Sequence, residues 1–139
     1  MARFERHAER AAVVFVDVNQ LKLINDSFGH AAGDFALMEI AKRLAESIRA
    51  TDVAARIGGD EFGLILDQSS EEGARAQIAR LGDVLTAAPA DYDGHQIALS
   101  ACFGIAMLQS GMTESDILAA ADRDMYRNKQ GQGSAPGHR

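Results

Sequence analysis

The sequence predicts one α/β or α+β domain in which helices cover a sheet. Three observations carry this. Helix and strand signals follow one another in the order β-α-α-β-β-α-β-α. Two of the strand signals are joined only by "GGDE", which makes them a tight antiparallel pair. No internal repeat or second compositional unit breaks the series, and 139 residues suffice to bury a core, so 1–139 reads as a single domain.

Each element has its own signal. "AAVVFVDV" (11–18) is a near-continuous apolar run rich in β-branched residues, a buried strand with Asp17 near its C-terminal end. "NQLKLINDSFGH" (19–30) begins helical and ends in Gly29-His30. Residues 35–49 form an amphipathic helix, with Leu37, Ala41, Leu44 and Ile48 recurring at spacings of four and three. "VAARI" and "FGLIL" are the strands on either side of "GGDE". Ala74, Ile78, Leu81 and Leu85 mark a helix that stops before Pro89. "DYDGH" is a turn and "QIALSACFGIAML" a strand. Ile117, Leu118, Ala121 and Met125 mark the last helix, and residues 130–139 are a loose tail.

Composition excludes some classes. Cys102 stands alone, so no internal disulfide forms and a reducing, cytoplasmic setting follows. No apolar run reaches the length of a membrane span, and "MARFERHAER" has no signal-peptide core. A formal charge of −6 argues against bulk nucleic-acid binding, though not against a small anion held by a few cations or a metal.

The chemistry concentrates at residues 58–61. Glycine supplies positive φ for a tight turn and lets a ligand approach the backbone. Asp60 and Glu61 repel one another unless a positive group lies beside them. Two readings stay open on these residues alone. One is a solvated acidic turn. The other is a metal site, with Asp17 as the further carboxylate, because magnesium takes one or two protein carboxylates and completes its shell with water and phosphate oxygens.

"GGDEF" at 58–62 resembles the signature of the GGDEF family, the diguanylate cyclases. "DVNQLKLINDSFGHAAGD" (17–34) is similar to the family's Asp-x-Asp/Asn-x-x-Lys-x-x-Asn-Asp-x-x-Gly-His-x-x-Gly-Asp pattern, and "AADRDMYRNK" (120–129) to its closing Ala-Asp-x-Ala-Met-Tyr-x-Ala-Lys segment. The three lie in family order, and Asp17 precedes Asp60 by 43 residues.

The resemblance implies an α+β sandwich. Its central, mainly antiparallel sheet is surrounded by helices in βααββαβα order, like nucleotide cyclases and polymerase palms. It implies an enzyme that condenses two GTP into cyclic di-GMP with release of two pyrophosphates, at a site shared by two subunits. Asp17, the Val18 carbonyl, Asp60 and Glu61 would hold Mg2+ or Mn2+. Asp60 would also receive the 3′-hydroxyl proton, and Glu61 would support a second metal position. Lys22 and Lys129 would contact phosphate, and Gly58 and Gly59 would clear space for the nucleotide. Asn25 and Asp34 would read guanine, with His30 on the same surface. On the residues alone, Asn25 and Asp26 also suit a turn, Asp34 suits a helix N-cap, and Lys22 and Lys129 suit helix surfaces. "RATD" (49–52) stands in the register of the family's inhibitory product site. Arg49 and Asp52 would bind cyclic di-GMP there, with Arg80 as a second clamp; otherwise Arg49 is a helix-end residue with a local acid partner.

Departures from the pattern temper this. The family continues after its closing lysine with x-x-Gly-Arg-Asn, whereas this chain reads "KQGQGS". Asp124 and Asn128 replace alanines, an acid there being unhelpful near phosphate, and Cys102 replaces a serine. The family's entry segment is missing, so the chain reads either as a trimmed domain of a larger sensor protein or as a minimal variant lacking its sensor. A homodimer is needed for catalysis, and the isolated chain is expected to be a weak dimer or a monomer. The alternative function is a catalytically weak regulatory module that binds GTP or cyclic di-GMP.

Overall fold

The sheet is built around β1 (Ala12–Val18), whose side chains alternate between fully and partly buried. The computed structural model describes residues 11–67 and 69–133. After β1 come α1 (Leu21–Phe28), α2 (His30–Ser47), β2 (Val53–Arg56), β3 (Glu61–Leu66), α3 (Glu71–Thr86), β4 (Ala90–Tyr92), β5 (His95–Ile97), β6 (Ala101–Met107) and α4 (Glu114–Gly133). The strand order is β2-β3-β1-β6 with every pairing antiparallel, and β4-β5 is a separate hairpin. This is the expected α+β architecture, with one hairpin added.

The alternation of β1 sorts the molecule into layers. Val14 lies opposite Leu64 and Ile105, and Val16 opposite Phe62 and Phe103. All six join the core with Leu37, Ile40 and Leu44 of α2 and Leu81 and Leu85 of α3. Each such aliphatic side chain, fully buried, contributes about 1.5–3 kcal/mol. On the opposite face β6 carries the small residues Cys102, Gly104 and Ala106. There Gly104 lets α4 approach closely, since a Cβ on it would meet the Ala121 carbonyl and Met125 Cβ at 2.2 and 2.8 Å. Asp17, Glu61 and Cys102 are cross-strand partners on this same face.

Three boundaries differ from the sequence reading. Helix α2 begins at His30 rather than 35, because buried Ala32 and Gly33 extend its apolar face backwards. Only Gly29, with φ at +97°, separates it from α1. "DYDGH" is the turn expected, but Asp93 and Gly94 both take positive φ, as a two-residue type I′ hairpin requires, and this pairs Tyr92 with His95. The strand expected over 96–108 therefore divides into β5 and β6. Helix α4, entered through reciprocal Thr113–Asp116 capping bonds, runs to Gly133, into the expected tail. The rest of that tail, Arg139 included, and the entry region before residue 11 lie outside the described residues.

Polar contacts fix the helices. Ser70 caps α3 by accepting from the Gly73 N–H, and Glu71 and Glu72 occupy its first turn. At the other end the Arg43 guanidinium donates to the Leu85 and Ala88 carbonyls, holding α3 against α2.

Candidate active site

The end of β1 and the turn between β2 and β3 form one unit. The Val18 N–H donates to the Asp60 carbonyl (3.1 Å), and Asp17 pairs across the strands with Glu61. The Glu61 carbonyl in turn accepts from the N–H groups of Ile57 and Gly58, which folds the turn back on β3. Arg56 closes it from the other side, donating to the Gly58 and Gly59 carbonyls at 3.1 and 2.7 Å. Neither glycine takes a left-handed φ, contrary to the expectation that the turn needs positive φ there. A Cβ on either would meet nothing within 4 Å, so the space over the turn is open.

Electrostatics single out this corner. Burial pushes the Glu61 carboxyl above the usual carboxylate range, and the charges of Asp17, Asp122 and Asp60 push it the same way. Lys129, reaching across from α4, is 3.1 Å from Asp17. That hydrogen bond holds the Lys129 ammonium above its ordinary range, against a smaller opposing effect of burial. Asp17, Asp60, Glu61 and the Val18 carbonyl are hard oxygen donors of the kind magnesium or manganese takes, and such an ion draws one or two carboxylates from the protein and the rest of its shell from water and phosphate. Among the described residues, no three His, Cys, Asp or Glu side chains are grouped so as to hold a metal ion between them.

The second group lies on the α1–α2 corner. Asn25 is half-buried near the end of α1, while His30 and Asp34 are exposed one turn apart at the start of α2. Asp34 lies inside the helix, so it is not an N-cap; Gly29 stands at that position. Lys22 is exposed in the first turn of α1 and pairs with Asp26, four residues on, at 3.1 Å.

The third group lies at the other end of the β2–β3 hairpin. The Asp52 side chain is fully buried. It accepts from the Arg49 backbone N–H, the Arg49 guanidinium, the Asp67 N–H and the Gln77 amide. Burial raises the Asp52 carboxyl, but these donors outweigh it and hold the group below its usual range. Arg49, half exposed, also donates to the Asp67 carbonyl and Ser69 Oγ. Arg80 is exposed on α3, one turn beyond Gln77.

A comparison of the sequence with known families matches residues 1–135 to "Diguanylate cyclase, GGDEF domain". The chain belongs to the GGDEF family. It is 38% identical over 131 residues to an uncharacterized signaling protein of Caulobacter vibrioides, covering 92% of this chain and 16% of that one. It is 36% identical to the bifunctional diguanylate cyclase/cyclic di-GMP phosphodiesterase MucR of Pseudomonas aeruginosa, covering 89% of this chain and 18% of that one. The chain thus spans under a fifth of the length of these relatives. Among solved structures it resembles the GGDEF domain of TpbB from Pseudomonas aeruginosa, with a TM-score of 0.83 and 35% identity over 94% of this chain and 82% of that one.

Within the GGDEF domain, two departures from the family pattern now have a place. Asp124 is buried. It accepts from the Ile105 N–H (2.8 Å) and both terminal nitrogens of Arg75 (2.7 and 3.3 Å). Asn128 donates to the Phe103 carbonyl (2.7 Å). Both satisfy backbone groups on β6, which is an edge strand, and this gives the acid a structural role. Asn19 is likewise structural, joining Ser100 to the Cys102 thiol, which burial raises above its usual range.

Two residues beside the site escaped the sequence reading. Arg56 is the cation that holds the turn, and its signal was its place two residues before "GGDE". Asp122 acts on Glu61, and it lies two helical turns before Lys129, on the same face of α4.

Proposed function

We propose that this chain is the catalytic domain of a diguanylate cyclase. It joins two GTP into cyclic di-GMP and releases two pyrophosphates, at a site completed by a second copy of the chain. The observation that carries the reading is the Asp17–Glu61 cross-strand pair, tied to Asp60 through the Val18 N–H and bordered by Lys129.

In this reading each copy presents one GTP. Asn25 and Asp34 hold the guanine, and Asp34 accepts from its N1–H and N2–H₂. An adenine would leave that acceptor unpaired, which is costly. His30 lies beside the ribose or base. The triphosphate crosses the open space over Gly58 and Gly59 to Lys22 and Lys129. The 3′-oxygen of one GTP forms a bond to the α-phosphorus of the other, and the bond from that phosphorus to pyrophosphate breaks. An Asp60 carboxylate oxygen takes the hydroxyl proton, and the step repeats with the roles exchanged. Mg2+ or Mn2+ held by Asp17, Val18, Asp60 and Glu61 would neutralise phosphate oxygens and lower the pKa of a coordinated hydroxyl. The protein contributes positioning and fixed charge. Cyclic di-GMP restrains the enzyme at Arg49 and Arg80, with the buried Asp52 holding the Arg49 guanidinium in place rather than meeting the ligand, and a cytoplasmic setting supplies the GTP.

Incubation of the chain with GTP and magnesium, at concentrations that force dimerisation, yields cyclic di-GMP and pyrophosphate. Absence of product there sinks the proposal. A second reading, a weak regulatory module, draws on "KQGQGS" at the place of Gly-Arg-Asn. Its mark in calorimetry is cyclic di-GMP binding that Arg49→Ala abolishes, without GTP turnover.

A further inference from the structure

Gly33 has no side chain and is buried in the first turn of α2, directly beneath Asn25. A Cβ built on it would lie 1.8 Å from Asn25 Oδ1, 2.9 Å from Cγ and 3.4 Å from Nδ2. These are its three nearest atoms, and all belong to one carboxamide. The amide therefore presents its oxygen to the Gly33 backbone, in a slot that a single methyl group would fill. The described residues show no hydrogen bond from the Asn25 side chain, so its packing against Gly33, with the oxygen turned to the glycine, is what orients the amide.

The backbone around the slot is well fixed. The Gly29 N–H donates to the Asn25 carbonyl (2.8 Å), and the Gly29 carbonyl accepts from Ala32 and Gly33 (3.1 and 3.2 Å). The two helices thus meet at a set angle, and the face of α2 under Asn25 is not free to move. Glycine in a helix is otherwise a disadvantage, since alanine forms helix better. Nor does Gly33 need its conformational freedom, since its φ is not left-handed. The benefit of glycine here is the space it leaves.

We propose that Gly33 is the positioning residue for the Asn25 carboxamide and, through it, sets selectivity for a purine with a guanine-type edge. The inference rests on the assignment of Asn25 to the guanine. Side-chain contacts that discriminate bases depend on placement to within a fraction of an ångström, and real Cβ atoms do not approach within 3.0 Å of a neighbour. An alanine at 33 must therefore swing the Asn25 amide out of its slot by more than 1 Å.

The test compares wild type, Gly33→Ala, Asn25→Ala and the double variant, using GTP, ITP and ATP. Gly33→Ala is expected to raise KM for GTP about tenfold with a much smaller change in kcat, and to narrow the preference for GTP over ITP and ATP. Its melting temperature is unchanged or higher. The double variant matches Asn25→Ala alone, because the glycine acts only through that amide. In ¹⁵N spectra of the nucleotide-free protein, the Asn25 side-chain amide resonance shifts in Gly33→Ala. Wild-type KM and an unmoved amide resonance overturn the inference. So does full additivity in the double variant, or loss of the fold, since either means that the methyl group meets something other than Asn25. If Asn25→Ala itself leaves GTP binding unchanged while Gly33→Ala shifts the amide, the guanine assignment has failed and with it the selectivity role, though not the packing role.

Discussion

Lys129 and Asp17 stand 112 residues apart in the chain and 3.1 Å apart in the fold. The pair joins the last helix to the end of the central strand, at the carboxylate proposed to hold a metal. A lysine there partly offsets the repulsion that Asp17, Asp60, Glu61 and Asp122 exert on one another. It must also give up Asp17, in part, when a divalent cation arrives. In Lys129→Met, the nucleotide-free protein should therefore bind Mn2+ about twofold to fivefold more tightly, the range expected for a half-exposed ion pair. KM for GTP should rise, because the proposed phosphate contact is gone. Titration calorimetry with Mn2+ checks the first expectation, and unchanged or weaker metal binding would falsify the competition.

Arg56 should matter for turnover more than for stability. It is exposed, and among the described residues it donates to the Gly58 and Gly59 carbonyls alone. Arg56→Ala is expected to lower kcat/KM about tenfold by loosening the turn that carries Asp60. Stability should change by about 0.5 kcal/mol or less, as for most surface substitutions. A thermal melt beside a GTP turnover assay separates these effects. A large loss of stability with normal turnover contradicts this role.

The sequence was most informative where local physics decides the outcome. The apolar, β-branched run of β1 and the "GGDE" turn placed the sheet centre, and "DVNQLKLINDSFGHAAGD" marked the α1–α2 corner. It was least informative where two distant segments share one polar group. Nothing local shows that Asp124 meets Arg75 and β6, or that Asp52 serves Arg49, Asp67 and Gln77 at once. Each is a tertiary hydrogen-bond set, invisible to periodicity. The short β4 strand was missed because three residues carry too little pattern to distinguish from a turn.

The Arg49–Asp52 pair calls for unequal treatment in experiments. Asp52 is buried with every donor around it belonging to the chain, whereas Arg49 is half exposed. Asp52→Ala should cost about 2–4 kcal/mol, since it strands the Asp67 N–H and the Gln77 amide as well as the guanidinium. Arg49→Ala should cost about 1 kcal/mol or less, and is the cleaner probe of product binding. Because the folded-state pKa of Asp52 is depressed, its stabilisation is present above the unfolded value, near 3.8, and is lost as pH falls through the lower folded value. Urea midpoints of wild type and Asp52→Asn should therefore converge below about pH 4. A gap that persists into acid contradicts the charge-based account.

Asp124 permits the sharpest separation of structure from chemistry, because the family pattern has alanine there. Its carboxyl is pushed up by burial but held below its usual range by Arg75, the Ile105 N–H and Arg127. By the same linkage its stabilisation is full near neutrality and fails as pH drops through the depressed folded value. Asp124→Ala leaves the Ile105 N–H on an edge strand without its acceptor and Arg75 without its buried partner. The expected cost is about 2–3 kcal/mol, with increased self-association through the open edge of β6. Arg75→Ala should cost less, because Asp124 keeps the Ile105 N–H, Arg127 and Asn128 as donors. Turnover per folded molecule should be unchanged in both, since the Asp124 carboxylate is taken up by the Ile105 N–H, Arg75, Arg127 and Asn128. Denaturant melts, light scattering and a GTP assay on the same samples test this together. A specific activity that falls in Asp124→Ala while the fold persists would show that the acid reaches the active site after all.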